Sequence, residues 1–413
     1  MHRNVNLNSF AGLISIIFPA TVAILMSFLS PIVVGGLVDT NGWTERDAGL
    51  LVSTEMAVMA WSGLAGLLWL NRLSWKTVSV VAIGLLLGGN VASIFTYQSS
   101  EALLISRVFA GAGAGTLTAL AYASLARSER PHRNYGLYSM SQMGMAMIFL
   151  TVLPVLLTGR STEEAGITGS LLNWLGIPLG LGMSAFYITM AALGTIALLL
   201  SLIWFPQRPT TVDTVIARRS SINSWILPGT MLVAIVVLMM SQQSFWTYSE
   251  RIGVNAGLNR SSVGSVLALG ALAGFIGAGA ATLIGNKISR PAVILMIFAV
   301  HIVSLASFLL TLNIYLFALG ILLHKFSWNF TIPYQLGMLA EIEKTGKAAV
   351  LSTVVTSFGI SAGAGFAALV VGDFGYKGVI FGSMSLAVIY AGLMLFVHAH
   401  MSRPASYTSS PAR

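Results

Sequence analysis

The sequence predicts an all-α integral membrane protein, with twelve transmembrane helices arranged as two pseudo-symmetric six-helix bundles. Three observations carry that prediction. Of 413 residues, 56% are hydrophobic and 8% are charged; soluble domains carry about 25% charged residues, so this chain cannot cover a surface that faces water. Apolar runs of about 20 residues, long enough to cross the hydrocarbon layer of a bilayer, recur twelve times. The two halves of the chain also match one another at a single offset of 215 residues, since Asn71-Arg72-Leu73-Ser74 reappears as Asn286-Lys287-Ile288-Ser289 (286 − 71 = 215).

The spans are expected at 10–38, 47–70, 77–97, 101–126, 135–158, 180–205, 225–249, 260–285, 291–311, 314–340, 347–371 and 376–400. His2 and Arg3 precede an apolar run from Phe10 to Val38 that is too long for the core of a cleavable signal, so it is read as a retained first span. Gly159–Leu179 is the longer connection between spans five and six, with room for a short interfacial helix at Leu171–Leu175. Pro206–Ser224 is polar and basic, and marks the seam between halves. The expected organisation is an N-terminal bundle over 1–205, a cytoplasmic central loop over 206–224, a C-terminal bundle over 225–400 and a disordered cytoplasmic tail over 401–413. The same offset of 215 aligns Gly42 with Gly257, Gly49 with Gly264 and Gly144 with Gly359, the pattern of parallel repeats.

Charge sets the orientation. The net charge of +9 sits in short turns between apolar runs, so the positive-inside rule explains it and nucleic acid is not an expected partner. With the N-terminus inside, fifteen of the 22 basic residues fall in cytoplasmic segments and five in outer loops. Both termini are therefore expected in the cytoplasm of a multi-pass protein of the plasma membrane, a bacterial inner membrane. Two cations remain inside spans, Arg107 in the fourth and Lys325 in the tenth, and Glu55 in the second is the one acid clearly within a membrane segment. An ionisable side chain in hydrocarbon costs about 2.5–3.5 kcal/mol or more, so these three must face protein or water.

In span four, Arg107, Gly111, Ala114, Gly115, Thr118 and Tyr122 share one helical face. Glu55 and Arg107 lie at similar depth, and a pair between them would relieve both desolvation costs; such a pair is either purely structural or a switch in which Glu55 carries a coupling proton. Span ten is polar over a wide arc, with His324, Trp328, Thr331 and Gln335 on one face and Lys325 and Asn329 on the next, which is unsuited to lipid. In span seven Gln242, Gln243 and Trp246 sit deep enough to line a cavity, whereas Tyr248 fits an interfacial aromatic belt. Span one offers Ser27, Ser30 and Pro31, and His301 in span nine reads as a packed, hydrogen-bonded residue. Gly270 and Gly274, and Gly359 and Gly363, are GxxxG pairs that let helices approach closely. The absence of cysteine removes disulfides and thiolate sites. No phosphate loop, HExxH, nucleophile–base set or carboxylate cluster for a metal is visible, so neither an enzyme nor a cofactor is expected.

The twelve spans, the basic turns after spans two and eight, the polar central loop and Arg107-Val-Phe-Ala-Gly111-Ala-Gly113 in span four resemble the major facilitator superfamily over nearly the whole chain. The family's loop motif after span two is only partly met by Gly66-Leu-Leu-Trp-Leu-Asn71-Arg72-Leu-Ser-Trp-Lys76, which has no aspartate and no second glycine. Span five has Pro154 but lacks the Gly-Pro signature of drug–proton antiporters. The resemblance implies that spans one, four, seven and ten line a central cavity, and that spans two, five, eight and eleven meet between halves.

What this implies is a secondary transporter that moves a small organic solute by alternating access, coupled to protons and working as a monomer in the bilayer. Two cations and one acid within the membrane favour an organic anion. The expected substrate contacts are Arg107, Lys325, Gln242, Gln243, Trp246, His324, Trp328, Asn329, Gln335 and Tyr122. Glu55 is the expected proton-coupling carboxylate, and Arg72 and Lys287 the expected gating residues. The alternatives are a proton-driven efflux antiporter for amphiphilic compounds and a membrane sensor that keeps the fold without transporting.

Overall fold

The computed structural model describes residues 5–70, 72–158, 162–206, 225–284, 287–343 and 347–401. The central loop beyond Pro206 and the tail beyond Met401 therefore lie outside the described residues. Every regular element described is a helix: α1 (Phe10–Asn41), α2 (Glu45–Trp69), α3 (Trp75–Thr96), α4 (Ser100–Ala126), α5 (Pro131–Thr158), α6 (Thr162–Trp174), α7 (Met183–Trp204), α8 (Ile226–Asn255), α9 (Arg260–Ile284), α10 (Arg290–Ser307), α11 (Ile314–Ile342) and α12 (Lys347–Met401).

Local chemistry starts and stops these helices where the sequence changes character. Ser9, Thr44 and Asn313 cap α1, α2 and α11 by accepting backbone N–H groups of the first turn. Gly42 ends α1 at φ 68°, a left-handed conformation that glycine adopts without penalty. α6 is longer than the five-residue interfacial helix expected here and begins earlier, at Thr162. α12 contains two crossings. At about 1.5 Å per residue its 55 residues are far too long for one bilayer, and Gly375, at φ 62° and ψ −167°, breaks it. Spans eleven and twelve are thus joined at a single residue, because only glycine takes that backbone conformation readily.

Ten helices are long and apolar enough to cross a membrane among the described residues. The long helix that falls short is α11, whose middle carries His324, Lys325, Asn329 and Gln335. With α12 crossing twice and α11 included, twelve crossings result. Within the first half α4 packs on α2 and α3; within the second, α8 packs on α12 and α9 on α11. The halves meet along α2 with α12 and α5 with α9, the spans expected to do so. There Ser53 Oγ donates to the Ser361 carbonyl at 3.0 Å and Ser361 Oγ returns the bond to the Ser53 carbonyl at 3.0 Å.

The GxxxG glycines serve contacts inside the second half. Gly270 and Gly274 lie against the Lys325 and Asn329 side chains of α11, and Gly359 and Gly363 against the α8 backbone at Val236 and Met240. In the first half, Gly111 and Gly115 bring α4 onto the Glu55 and Met59 carbonyls of α2, where any side chain would collide.

Candidate functional site

The α2–α4 contact places Glu55 beside Arg107, and both are buried. Arg107 Nη1 stands 3.5 Å from Glu55 Oε1. The rest of the guanidinium is occupied by α3 and α7. Its Nε donates to Ser93 Oγ at 3.1 Å, its Nη2 donates to Asn90 Oδ1 at 3.0 Å and to Ser93 Oγ at 2.8 Å, and its Cζ lies 5.0 Å from the centre of the Tyr187 ring. Glu55 Oε2 has no hydrogen-bond partner among the described residues. The cluster ties four helices of the first half together.

Between the halves lies a cavity of about 540 Å³, a size typical of small-molecule sites. α1, α4 and α5 line it on one side and α8, α9, α11 and α12 on the other. Most of its wall is apolar, including Phe28, Met140, Met143, Phe275 and Ile332. Of the expected contacts, Tyr122, Gln243, Trp246, Lys325, Trp328 and Asn329 line it. Lys325 Nζ sits 3.3 Å from the Trp246 ring centre, 4.4 Å from that of Trp328 and 5.9 Å from that of Phe28. The faces of the indoles attract the ammonium electrostatically. Lys325 has no ion-pair partner among the described residues. Two bonds across the halves hold this wall: Trp246 Nε1 donates to the Phe28 carbonyl at 3.2 Å, and Gln243 Nε2 donates to Ser30 Oγ at 3.1 Å.

Arg107 is not brought to this cavity, nor is Glu55. Gln242, His324 and Gln335 are buried in the second half and do not line it either. The His324 ring packs 4.8 Å from Phe245 and 5.5 Å from His301, centre to centre. His301 is hydrogen-bonded, as expected, with its Nε2 2.9 Å from Ser241 Oγ. Arg72 and Lys287 are exposed and form no ion pair among the described residues.

Away from the cavity, a cluster of charges joins the two halves. At the end of the bundle where α1 stops and α2 starts, Arg251 Nη1 donates to both oxygens of Asp39 at 2.9 Å, and Arg251 Nη2 lies 3.6 Å from Glu45 Oε1. Arg260 also donates to Asp39, and its Nε is 3.7 Å from Glu250 Oε1. The Tyr248 hydroxyl donates to the Glu45 carbonyl at 2.7 Å and the Tyr376 hydroxyl to Glu45 Oε1 at 2.9 Å. Tyr248 is fully buried and belongs to this latch, so it is not the interfacial belt residue expected from its amphipathic ring. Lining residues come from mid-depth and from the opposite end, where α4 ends and α5 begins.

A sequence profile of the Major Facilitator Superfamily matches residues 12–364, most of the chain. The chain belongs to the Major Facilitator Superfamily. Its fold is shared with solved members at low sequence identity. A bacterial homologue of the human lysosomal transporter Spinster, inward-facing and unoccupied, is 14% identical over 94% of this chain and 95% of its own, with TM-score 0.64. A D-xylose–proton symporter is 16% identical over 93% and 97%, with TM-score 0.65. The nucleoside transporter NupG is 12% identical over 95% and 99%, with TM-score 0.69. No match was found among curated proteins. As a member of the superfamily the chain is a secondary transporter and not an enzyme.

Sequence reasoning missed the latch and the polar lining of the Arg107 site. A signal for the latch was present. The first half carries acids at its loop between spans one and two (Asp39, Glu45, Asp47), and the second carries arginines at the matching place; Glu45 and Arg260 stand one repeat apart, 260 − 45 = 215. No comparable signal marks Asn90, Ser93 or Tyr187 as guanidinium partners.

Proposed function

We propose that this transporter moves a small amphipathic organic anion by alternating access, with protons coupled through Glu55. The observation that carries the reading is Lys325: a cation facing the cavity between two indoles, with no acid of the described residues to neutralise it. An unpaired charge in a site of low dielectric is costly, and a bound carboxylate removes that cost while making a charge-assisted hydrogen bond. The surrounding Phe28, Phe275, Met140 and Met143 suit an apolar or aromatic body. Arg107, committed to Asn90, Ser93 and Glu55, supports the fold and Glu55 rather than touching substrate.

Both termini lie in the cytoplasm of the plasma membrane on this reading, so the cavity opens inward and the Asp39–Arg251 latch closes the outer mouth. Glu55 holds the coupling proton: one oxygen meets Arg107 and the other is free among the described residues. Flux in proteoliposomes with an imposed pH gradient, run with organic acids and organic cations, tests this. The expected result is transport of acids that depends on the gradient and is uncoupled by Glu55→Gln. Transport of cations alone would sink the anion reading, and unchanged proton dependence in Glu55→Gln would remove Glu55 from coupling.

A further inference from the structure

The closed latch holds one acid too many. Three carboxylates, Asp39 on α1, Glu45 on α2 and Glu250 on α8, meet two guanidiniums, Arg251 on α8 and Arg260 on α9. From α12 the Tyr376 hydroxyl adds a neutral donor to Glu45. Asp39 is satisfied by both arginines, and Glu45 is the most exposed of the three, with 37% of its side chain open. Glu250 has neither advantage. Its side chain is 6% exposed, Oε1 is 3.7 Å from Arg260 Nε, and Oε2 has no hydrogen-bond partner among the described residues. Its carboxyl group lies against Gly35 of α1 with Oε2 nearest, at a place where any side chain would strike it.

A carboxylate oxygen buried without a donor is among the most costly groups a protein can enclose, and a neutral carboxyl is far less so. The site is also pressed between helices of opposite halves, so this cost exists only while the latch is shut. We propose that Glu250 is a proton-binding site of the closed latch: the carboxylate takes up one proton as α1 and α8 come together, giving three acids and two bases a net charge of zero, and releases it when they separate. Acidification therefore favours the closed latch. This site is distinct from Glu55, which sits within the first half and, among the described residues, makes no ion pair or hydrogen bond to α1 or α8. The proposal rests on the alternating-access reading and not on the identity of the substrate.

The chain has no cysteine, so a Thr40→Cys/Ala256→Cys pair can carry nitroxides at two exposed positions, one on each half, that take no part in the latch. Pulsed EPR distances in lipid nanodiscs, without substrate, between pH 8.5 and 5.5 provide the test. One linked proton changes the closed-to-open ratio by at most about tenfold per pH unit, and a total rise of about tenfold on acidification is expected. Glu250→Gln, which mimics the neutral acid, should stay mostly closed across the range, with no pH response. Asp39→Asn should lower the closed fraction at every pH and keep the response. A wild-type response retained in Glu250→Gln, or a latch that Glu250→Gln opens, overturns the proposal. A single distance in all variants at all pH values overturns the alternating-access reading instead, and the proposal with it.

Discussion

The ammonium of Lys325 lies 3.3 Å from the centre of the Trp246 ring, and the Trp246 indole N–H is in turn bonded to the Phe28 carbonyl of the opposite half. The one cation that lines the cavity among the described residues is thus seated on a residue that bridges the two halves. On the alternating-access reading proposed above, whatever neutralises Lys325 acts on a contact between the halves.

Lys325→Gln is expected to weaken binding of an organic acid by about 10- to 100-fold, since a hydrogen bond to a charged group contributes about 1.5–3 kcal/mol. Trp246→Phe keeps an aromatic face and should cost less, about threefold, because the phenyl ring retains part of a contact that is buried and worth about 2 kcal/mol when desolvated. Titration by intrinsic tryptophan fluorescence measures both, with Trp328 still lining the cavity in the Trp246 variant. Equal affinity in Lys325→Gln would show that the acid binds elsewhere.

Arg107→Ala should destabilise the first half by about 3–5 kcal/mol, because it leaves Glu55 buried and uncompensated. Both side chains are almost wholly inaccessible, so solvent screening gives little relief. The Glu55→Met/Arg107→Met double variant is expected to recover part of that loss, with Asn90 and Ser93 still short of a donor. Thermal melts in detergent decide it: a double variant less stable than Arg107→Ala would contradict the pairing.

Asp39→Asn removes the acceptor shared by Arg251 and Arg260. These groups are partly exposed, so the loss is limited to about 1 kcal/mol, a shift of about fivefold toward the state open at that end. A single cysteine at Ser27, which lines the cavity, should react correspondingly faster with an impermeant maleimide added on that side. An unchanged rate would mean that the latch does not control the mouth.

Gly115→Leu is expected to drive α4 away from the Met59 carbonyl and to cost about 1–3 kcal/mol or more through overpacking. Gly84→Ala, on α3 with nothing near its missing side chain, should instead stabilise by about 0.5–1 kcal/mol through helix propensity and a less mobile unfolded chain. Melting temperatures that move together in the two variants would refute the close-approach argument.

The boundaries of α1 to α5 fall within a few residues of those read from apolar runs, because hydrocarbon permits little besides a helix of spanning length. The polar arc of α11 was legible as well. Which side of that arc meets the cavity was not. Lys325, Trp328 and Asn329 line it, while His324 and Gln335 turn inward to the second half. Periodicity assigns residues to faces of a helix, but the rotation of that helix is set by its neighbours, here the glycines of α9 that fit against Lys325 and Asn329.

The sequence by itself determined the solvent, the number of crossings, the twofold repeat and the three ionisable residues that had to find partners. Hydrophobicity, length and charge count are properties of single residues and short windows, so they survive without coordinates. The Glu55–Arg107 pair was legible as well, from their similar depth, and the two side chains do meet. Only the tertiary structure decided the other partners. Arg107 also joined Asn90 and Ser93 away from the cavity, Lys325 was left to two indoles, and Asp39 found two arginines across the halves. Such pairings act over a few ångströms between residues as many as 221 positions apart, and only packing of the two bundles fixes them.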